Sequence, residues 1–301
     1  MNKTQITHAQ LKMRQQMPLE VKENLSIQRI KTWYDYFQGQ VFVSYSGGKD
    51  STVLLHLVRR FYPHVLAVFV NTGLEYPEII KFVRTTENVI WLRPEMNFKQ
   101  VIEKYGYPIV SKQQAQYIYE YRTAKSEKTR TKRWNGWIRP DGVNSKRFKI
   151  SEKWKFLVDA PFKISDKCCN VMKKKPIAKY RKESGTKGYV GVMASDSEGR
   201  HLDYRTHGCN AFGKVMQQSR PIMFWTTEDI WNYIRKYNIP YSKIYDMGQK
   251  NTGCIYCGFG AAYNNPNRFQ IMKKTHPKLW KYCMEKLGMR EVLKFWGVPF
   301  E

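Results

Sequence analysis

The hydrophobic pattern of the chain alternates between short apolar runs and segments with helical spacing. The runs predict strands and the periodic segments predict helices. In chain order they are strand 41–45, helix 52–58, strand 65–70, helix 77–87, strand 89–92 and helix 98–105. Strands and helices that alternate in this way form a parallel sheet with helices on its faces. We therefore expect an α/β fold with a doubly wound, mostly parallel sheet.

Helical periodicity predicts further elements at both ends of the chain and beyond the first strands. Residues 1–40 form a polar helical segment with one apolar face. A strand at 189–192 resumes the sheet pattern, and helices follow at 227–237 and 276–296. Thr226 is placed to cap the first of these two helices, since a threonine oxygen can accept a hydrogen bond from the first helical turn.

Between these two sets of elements the periodicity fades. Residues from about 121 to 167 are rich in Lys and Arg and carry several tryptophans and phenylalanines, which indicates an ordered insertion in the sheet domain. We therefore divide the chain into a helical N-terminal segment (1–40), an α/β domain (41–260) with the basic aromatic insertion, and a helical C-terminal segment (261–301).

The charge balance changes this picture, because 52 Lys and Arg oppose 25 Asp and Glu and give a net charge of +27. From Arg122 to Lys182 there are 20 basic and 5 acidic residues, so 15 of the surplus charges lie in about a fifth of the chain. Such a basic patch predicts a polyanionic partner, and nucleic acid, either DNA or tRNA, is the obvious one.

Lysine and arginine in the insertion can contact phosphates, and its tryptophans can stack on unpaired bases. The alternative is that the tryptophans belong to the core and the basic residues form a solvated face. The candidate nucleic-acid-binding residues are Lys132, Arg133, Trp134, Trp137, Arg139, Lys146 and Arg147.

The chain contains no run of eighteen apolar residues, and its first sixteen residues lack the apolar stretch of a signal peptide. We expect a cytoplasmic protein with no membrane partner. Its six cysteines do not resemble the disulfide framework of a small secreted domain. In a reducing compartment, grouped cysteines indicate a metal site.

The segment Ser46-Gly47-Gly48-Lys49-Asp50-Ser51 joins a predicted strand to a predicted helix. Its glycines let backbone N–H groups converge at the positive end of the helix dipole, and its serines and lysine add donors and a full charge. A Walker motif is absent, so the chain is not an ordinary P-loop NTPase. The alternative is a simple tight turn, but the flanking polar groups favour phosphate binding.

Two cysteine pairs, Cys168-Cys169 and Cys254-x-x-Cys257, supply the four thiolates that a [4Fe–4S] cluster requires. Zinc also takes four cysteines, but adjacent side chains project in different directions and rarely both reach one small ion. Buried free cysteines are the remaining alternative. Single cysteines such as Cys209 and Cys283 are more often inert than nucleophilic.

The glycine loop resembles the pyrophosphate loop (PP-loop) of the ATP pyrophosphatase superfamily. The segment Asn71-Thr72-Gly73-Leu74-Glu75-Tyr76-Pro77-Glu78 resembles the second signature of its adenylyl-sulfate and phosphoadenylyl-sulfate reductase branch. Residues 191–200, which end at Arg200, are similar to the substrate segment of that branch, and residues 221–241 resemble the helix before its cluster cysteines. The cysteine pattern resembles that of the iron–sulfur adenylyl-sulfate reductases.

The resemblance implies an adenine nucleotide alpha hydrolase-like fold that binds ATP or adenylyl sulfate with Mg²⁺. Lys49 and Asp50 would act in catalysis, and Asp50 could instead be a helix cap. The implied nucleotide-binding residues are Ser46, Gly47, Gly48, Lys49, Asp50, Ser51, Asn71, Thr72, Gly73 and Arg200, and the implied iron–sulfur ligands are Cys168, Cys169, Cys254 and Cys257.

Two departures weigh against sulfonucleotide reduction. The reductases end in a tail whose thiol attacks the substrate, whereas no cysteine follows Cys283 here, and Met193 stands where the substrate segment usually has an arginine. We therefore favour adenylating sulfur transfer to nucleic acid, as in the enzymes of DNA phosphorothioation or tRNA thiolation, with a sulfur donor such as a cysteine desulfurase.

Two alternatives remain open. One is a reductase that uses Cys209 or Cys283 as a substitute nucleophile and releases sulfite. The other is a non-catalytic subunit that binds nucleotide and nucleic acid. The sequence leaves the oligomeric state open.

Overall fold

The computed structural model describes residues 6–138, 144–145, 148–213 and 217–301. The chain divides into two compact units. The first unit contains Met1–Asn71, Tyr76–Leu92 and Ile177–Asn251, and the second contains Thr72–Glu75, Arg93–Pro176 and Thr252–Glu301. The predicted insertion thus belongs to the second unit, together with all four paired cysteines. None of the described helices is long and apolar enough to cross a membrane.

The described helices are given in chain order. They are α1 (His8–Gln16), α2 (Leu19–Tyr36), α3 (Lys49–Arg59), α4 (Pro77–Arg84), α5 (Phe98–Tyr105), α6 (Lys112–Thr123), α7 (Glu127–Asn135), α8 (Lys167–Cys169), α9 (Lys175–Ser184), α10 (Glu198–His207), α11 (Thr227–Lys236), α12 (Arg268–Thr275), α13 (Pro277–Glu285) and α14 (Met289–Trp296).

The strands are mostly short. They are β1 (Val41–Tyr45), β2 (Leu66–Val70), β3 (Val89–Leu92), β4 (Ile109–Val110), β5 (Trp137–Ile138), β6 (Asn144–Ser145), β7 (Lys187–Val190), β8 (Asn210–Phe212), β9 (Gln217–Ser219) and β10 (Gly258–Phe259).

The first unit is built on a six-stranded sheet with the order β3-β2-β1-β7-β9-β8. All neighbouring strands are parallel except β8 and β9. The register pairs Val43 of β1 with Ala67 of β2 on one side and with Tyr189 of β7 on the other. This confirms the predicted doubly wound, mostly parallel sheet. The strand order reverses at β1, and ligands of such sheets bind where the order reverses, beyond the carboxyl ends of the strands.

The strand β1 at the centre of the sheet is mostly apolar and buried. Val41, Phe42 and Val43 of β1 are all buried, as expected for a parallel strand covered on both faces. Helix α3 contributes a similarly apolar surface that includes Leu54 and Leu57. The loop that joins β1 to α3 therefore begins and ends in rigid elements.

The second unit is mainly helical. A two-residue parallel pairing joins β4 to β10, and a short antiparallel pair forms from β5 and β6. Trp154 lies at the centre of an aromatic group, with its ring centroid 6.3 Å from that of Tyr263 and 6.0 Å from that of Trp296. The indole N–H of Trp154 donates to the Tyr263 hydroxyl at 3.2 Å.

Two predicted helices differ from the observed ones. The N-terminal segment forms α1 and α2 with Pro18 between them, because proline lacks the N–H group that a continuing helix needs. The predicted helix 276–296 is divided into α13 and α14 at Gly288, whose φ of 68° interrupts the helix. The Thr226 cap is confirmed, since its side chain accepts from the Asp229 N–H.

A buried ion pair joins α2 to this capping site. The Lys22 ammonium donates to Asp229 Oδ2 at 2.7 Å, and the same oxygen accepts the Thr226 N–H at 2.7 Å. Both side chains are nearly inaccessible to solvent. Removal of one partner would leave an uncompensated buried charge.

We therefore expect Asp229→Ala to lower the free energy of unfolding by about 3–5 kcal/mol. Glu228→Ala removes an acidic side chain from the same helical turn, but that side chain is exposed, so we expect a loss of only about 0.3–1 kcal/mol. Urea denaturation of both variants measures the difference. Equal losses in the two variants would contradict a buried pair.

Candidate functional site

The glycine loop after β1 adopts a turn that only glycine allows. Gly47 has a φ of 70°, and a Cβ at this position would lie 2.6 Å from Val83 Cγ2 and 2.9 Å from Ile79 Cγ2 of α4. Both the backbone conformation and the lack of space exclude a side chain. The loop therefore packs directly against α4.

Hydroxyl groups hold the loop in this shape. The Ser46 N–H donates to Ser51 Oγ at 3.1 Å, and the Gly48 N–H lies 3.3 Å from Ser46 Oγ. The Ser51 hydroxyl in turn donates to the Gly48 carbonyl at 2.9 Å. Helix α3 begins at Lys49, so its first N–H groups and the positive end of its dipole face the loop.

Lys49 and Asp50 form a charged pair at the start of α3. The Lys49 side chain is 1% exposed, and its Nζ lies 3.1 Å from Asp50 Oδ1 while it donates to Oδ2 at 3.4 Å. Burial raises the pKa of Asp50, and the Lys49 charge opposes that rise. Oδ1 is buried and accepts no hydrogen bond from the part of the chain that the structure describes. A carboxylate oxygen in this condition suits a hard cation such as Mg²⁺.

The segment after β7 lies against the same loop. A Cβ on Gly191 would come within 2.9 Å of the Asp50 carbonyl oxygen, so the two loops touch through their backbones. Asp196 accepts the Met193 N–H at 2.9 Å and pairs with the Arg200 guanidinium. Asp196 and Arg200 both act electrostatically on Asp50. The structure thus brings the predicted Arg200 segment to the phosphate loop.

Asn71 follows β2, the strand beside β1, and its N–H donates to the Leu92 carbonyl at 2.9 Å. Thr72 and Gly73 come next in the chain and belong to the second unit. The Thr72 hydroxyl donates to Glu75 Oε1 at 2.7 Å, and the Thr72 N–H donates to Oε2 at 3.0 Å. Gly73 has a φ of 72°. Our sequence interpretation gave Glu75 no role, although a threonine followed three residues later by a glutamate is a recognisable hydrogen-bonding pattern.

The paired cysteines come together within the second unit. Cys168 is buried in α8, and Cys169, Cys254 and Cys257 are half-buried. Burial raises the pKa of the Cys168 thiol, and the charges of Cys254, Cys169 and Cys257 raise it further. Within the described ranges, no three Cys, His, Asp or Glu side chains already stand in a metal-binding geometry.

Two cations accompany these thiols. Lys173 donates to the Cys254 sulfur; burial alone would lower the pKa of Lys173, but Cys254 and Glu75 outweigh that effect and raise it. Arg268 donates to the Cys254 carbonyl oxygen at 2.7 Å. Burial raises the pKa of Cys257 to about 11, and the Arg268 charge works against this rise.

The two unpaired cysteines have a different environment. Cys209 and Cys283 are buried. Burial raises the pKa of Cys209 to about 12 and raises that of Cys283 as well. Both are therefore protonated, unreactive thiols at neutral pH.

Two of the predicted nucleic-acid-binding residues, Arg133 and Trp134, make contacts with other residues of the second unit. Arg133 donates to Glu120 Oε2 at 2.6 Å and to the Phe148 carbonyl at 2.9 Å. Its guanidinium also lies 4.2 Å from the centre of the Tyr117 ring. Trp134 is half-buried, with its ring 5.2 Å from that of Tyr121.

Trp137 has a more open position. Its side chain is 41% exposed, and Phe148, 42% exposed, lies edge-on at 6.5 Å. The Lys132 ammonium lies 4.8 Å from the centre of the Phe148 ring and 6.0 Å from that of Trp137. Phe148 has a φ of 69°, which is unusual for a bulky residue and which the Arg133 bond to its carbonyl helps to hold. Arg139, Lys146 and Arg147 lie outside the described residues.

Comparison with known proteins places most of the chain, including the glycine loop after β1, in a protein family. The model of the phosphoadenosine phosphosulfate reductase domain matches residues 40–258. An uncharacterized protein of Methanocaldococcus jannaschii is 26% identical over 268 residues, which are 86% of this chain and 44% of the relative. An adenosine 5′-phosphosulfate reductase of Lysinibacillus sphaericus is 22% identical over 225 residues, which are 74% of this chain and 76% of that enzyme.

Among solved structures, the U34-tRNA thiolase NcsA from Methanococcus maripaludis with its [4Fe-4S] cluster aligns at a TM-score of 0.41 and 14% identity, over 90% of this chain and 80% of that one. The chain spans about half the length of the uncharacterized relatives that it matches. Because the family match runs from the start of the sheet to the second cysteine pair, the chain belongs to the phosphoadenosine phosphosulfate reductase domain family, a branch of the PP-loop proteins.

Proposed function

We propose that this protein is an iron–sulfur PP-loop enzyme that uses ATP to adenylate an oxygen of a nucleic acid and then replaces that oxygen with sulfur. The observation that carries the nucleotide part is the turn at Gly47. It has no side chain at its tightest point, it packs against α4, and it joins β1 to a helix that begins with a buried lysine. This arrangement presents backbone donors, a dipole and a charge to one anion.

The chain's own groups account for the first chemical step. An oxygen of the nucleic acid attacks the α-phosphorus of ATP, the bond from that phosphorus to the bridging oxygen breaks, and pyrophosphate leaves with the electron pair. Lys49 and the N–H groups at the start of α3 stabilise the charge that develops on pyrophosphate. Asp50 would hold Mg²⁺ through Oδ1, which lies 3.1 Å from the Lys49 ammonium in the absence of nucleotide, once that ammonium turns to the phosphates.

The second step removes AMP, which carries away the activated oxygen, as a sulfur nucleophile takes its place. The nucleophile is the outer sulfur of a persulfide donor, such as that produced by a cysteine desulfurase. A second thiol of the donor then attacks the inner sulfur, so that the S–S bond breaks, the thio product is released and the donor leaves as a disulfide. Cys168, Cys169, Cys254 and Cys257 would hold the [4Fe–4S] cluster, and when bound it supplies thiophilic iron. The residues suit such a group, since the other paired thiols act on Cys168 at close range and Lys173 and Arg268 offset the negative charge of the thiolates.

The nucleic acid would bind the second unit. Lys132, Trp137 and Phe148 offer two exposed rings beside an ammonium group, which suits an unpaired base and its phosphate. Between Arg122 and Pro176, the part of the basic stretch that lies in the second unit, 17 basic residues oppose 5 acidic ones, which supports a polyanionic substrate. Arg133 acts by positioning Phe148 and not through a phosphate contact of its own.

Reduction of adenylyl sulfate is the second candidate, and the similarity to adenosine 5′-phosphosulfate reductases favours it. That chemistry requires a thiolate nucleophile outside the cluster. Cys209 and Cys283 are the cysteines not grouped in pairs, and burial keeps both of them protonated. We therefore rank this activity below sulfur transfer.

The adenylation step is tested with anaerobic protein, labelled ATP and bulk tRNA or DNA. We expect AMP and pyrophosphate only when nucleic acid is present, and a loss of about 100-fold or more in Lys49→Ala, because a charge that stabilises the leaving group is removed. Lys12→Ala, which changes an exposed lysine of α1, should retain full turnover. Equal ATP turnover in the presence and absence of nucleic acid would contradict the proposal.

In the same assay Trp137→Ala should raise the KM for nucleic acid about tenfold, which corresponds to the loss of one stacked base. Trp91→Ala removes a tryptophan of similar exposure from the first unit and serves as the matched control.

The cluster is tested by anaerobic reconstitution. We expect about four irons and four sulfides per chain, and loss of both in Cys254→Ala and Cys169→Ala, because a missing thiolate leaves the cluster without a ligand. Cys283→Ala should retain them. Metal analysis and visible absorption measure the outcome, and stoichiometric zinc in place of iron would contradict the assignment.

The reductase alternative predicts a reactive Cys209 or Cys283, and we expect the opposite. Burial raises the pKa of Cys209 to about 12, so much less of it is thiolate at pH 7.5 than of a thiol with an ordinary pKa. Iodoacetamide at that pH should label Cys209 and Cys283 of the folded apo-protein far more slowly than the half-buried Cys169 and Cys254. Mass spectrometry with a urea-unfolded control measures this. Rapid labelling of either buried thiol, together with sulfite release from adenylyl sulfate, would favour the reductase.

A further inference from the structure

A tyrosine of the first unit occupies the start of α3. Tyr245 lies in the turn that follows α11, and its hydroxyl oxygen accepts the Lys49 N–H at 2.8 Å. Lys49 is the first residue of the helix, so this N–H has no partner within the helix itself. It is also one of the donors that a phosphate oxygen would use.

The same tyrosine contacts the charge of the same lysine. The Lys49 ammonium lies 5.8 Å from the centre of the Tyr245 ring and 3.1 Å from Asp50 Oδ1. The backbone donor and the side-chain charge of Lys49, the two groups that the loop offers to an anion, are therefore both engaged by the protein. Without a bound nucleotide, the positive charge of Lys49 is balanced by Asp50.

The turn that carries Tyr245 is anchored at its ends and exposed in the middle. Ile244 and Gln249 are buried, whereas Asp246, Met247 and Gly248 are exposed. The Gln249 N–H lies 3.4 Å from the Ile244 carbonyl, which closes the turn between these anchors. Tyr245 is half-buried and precedes the exposed residues, so its ring can leave Lys49 by shifting against Trp231 while both anchors remain in the core.

We propose that the Tyr245 hydroxyl holds the place of a phosphate oxygen on the Lys49 N–H, and that it leaves when the pyrophosphate group of a nucleotide binds. The inference rests on the proposed nucleotide site and adds a residue to it that competes with the ligand. Hydrogen bonds to an anionic oxygen are about twice as strong as those between neutral groups. Phosphate therefore displaces the hydroxyl, whereas water or a weak acceptor does not.

Selectivity follows from the double contact. A ligand must accept the Lys49 N–H in place of the Tyr245 hydroxyl. It must also contact the Lys49 ammonium, which gives up its contacts with the Tyr245 ring and with Asp50. A pyrophosphate group presents oxygens to both positions, whereas a single neutral acceptor reaches one. Tyr245 thus disfavours occupation of the loop by neutral ligands.

Tyr245→Phe tests this directly, because it removes the hydroxyl and keeps the ring. We expect the affinity for pyrophosphate, measured by calorimetry, to increase about three- to tenfold, as one competing hydrogen bond is lost. Tyr241→Phe is the matched control. Its ring packs edge-on against Trp231 at 5.2 Å as that of Tyr245 does at 5.4 Å, but its hydroxyl donates to Asp246 Oδ1 and not to the loop. We expect no change in this control.

A second measurement reports on the hydroxyl itself. With 3-fluorotyrosine incorporated at position 245, pyrophosphate should shift the ¹⁹F resonance of the full-length protein, and the same label at position 241 should shift less. Unchanged or weaker binding in Tyr245→Phe would overturn the inference, since weaker binding means that the hydroxyl donates to the ligand. Failure of the wild-type protein and of Lys49→Ala alike to bind pyrophosphate would instead overturn the proposed nucleotide site, and this inference with it.

Discussion

The first unit depends on one backbone constraint, the left-handed turn at Gly47. The turn is possible because no side chain has to fit between the loop and the side chains of Ile79 and Val83. It brings the end of β1 directly into α3 and buries Lys49 in the first helical turn. The second close approach, Gly191 on the Asp50 carbonyl, then joins the loop after β7 to it. Glycines at these two points let the backbones of the two loops approach closely at the switch point of the sheet.

Charge is arranged differently in the two units. In the first unit, Lys49, Asp50, Asp196 and Arg200 form alternating contacts around the loop, so that an incoming anion exchanges one set of partners for another. In the second unit, burial and the other three paired thiols raise the pKa of Cys168, while Lys173 and Arg268 lie close to Cys254. Burial and like charges both disfavour the ionised form of Cys168.

The helices and strands of the central sheet follow from local pattern, and their type was predictable. The segment 98–105 is the helix Phe98–Tyr105 as predicted, and the strands at 41–45 and 89–92 have the predicted bounds. The strand expected at 189–192 ends instead at Val190, because Gly191 leaves the sheet to contact Asp50. The very short β4 and β10 were missed, since a two-residue strand is defined by a partner distant in sequence and has no periodicity of its own.

The sequence by itself determined the α/β class, the phosphate loop and the grouping of cysteines in pairs, because each is encoded in residues adjacent along the chain. Only the tertiary structure shows which side chains already have hydrogen-bond or ion-pair partners and which are exposed. It shows Arg133 engaged by Glu120, Trp134 half-buried and Trp137 exposed, although all three belong to one basic aromatic stretch. It also brings Tyr245 to Lys49, 196 residues away in the chain. Burial and hydrogen-bond partners depend on contacts between distant segments, and no local pattern encodes them.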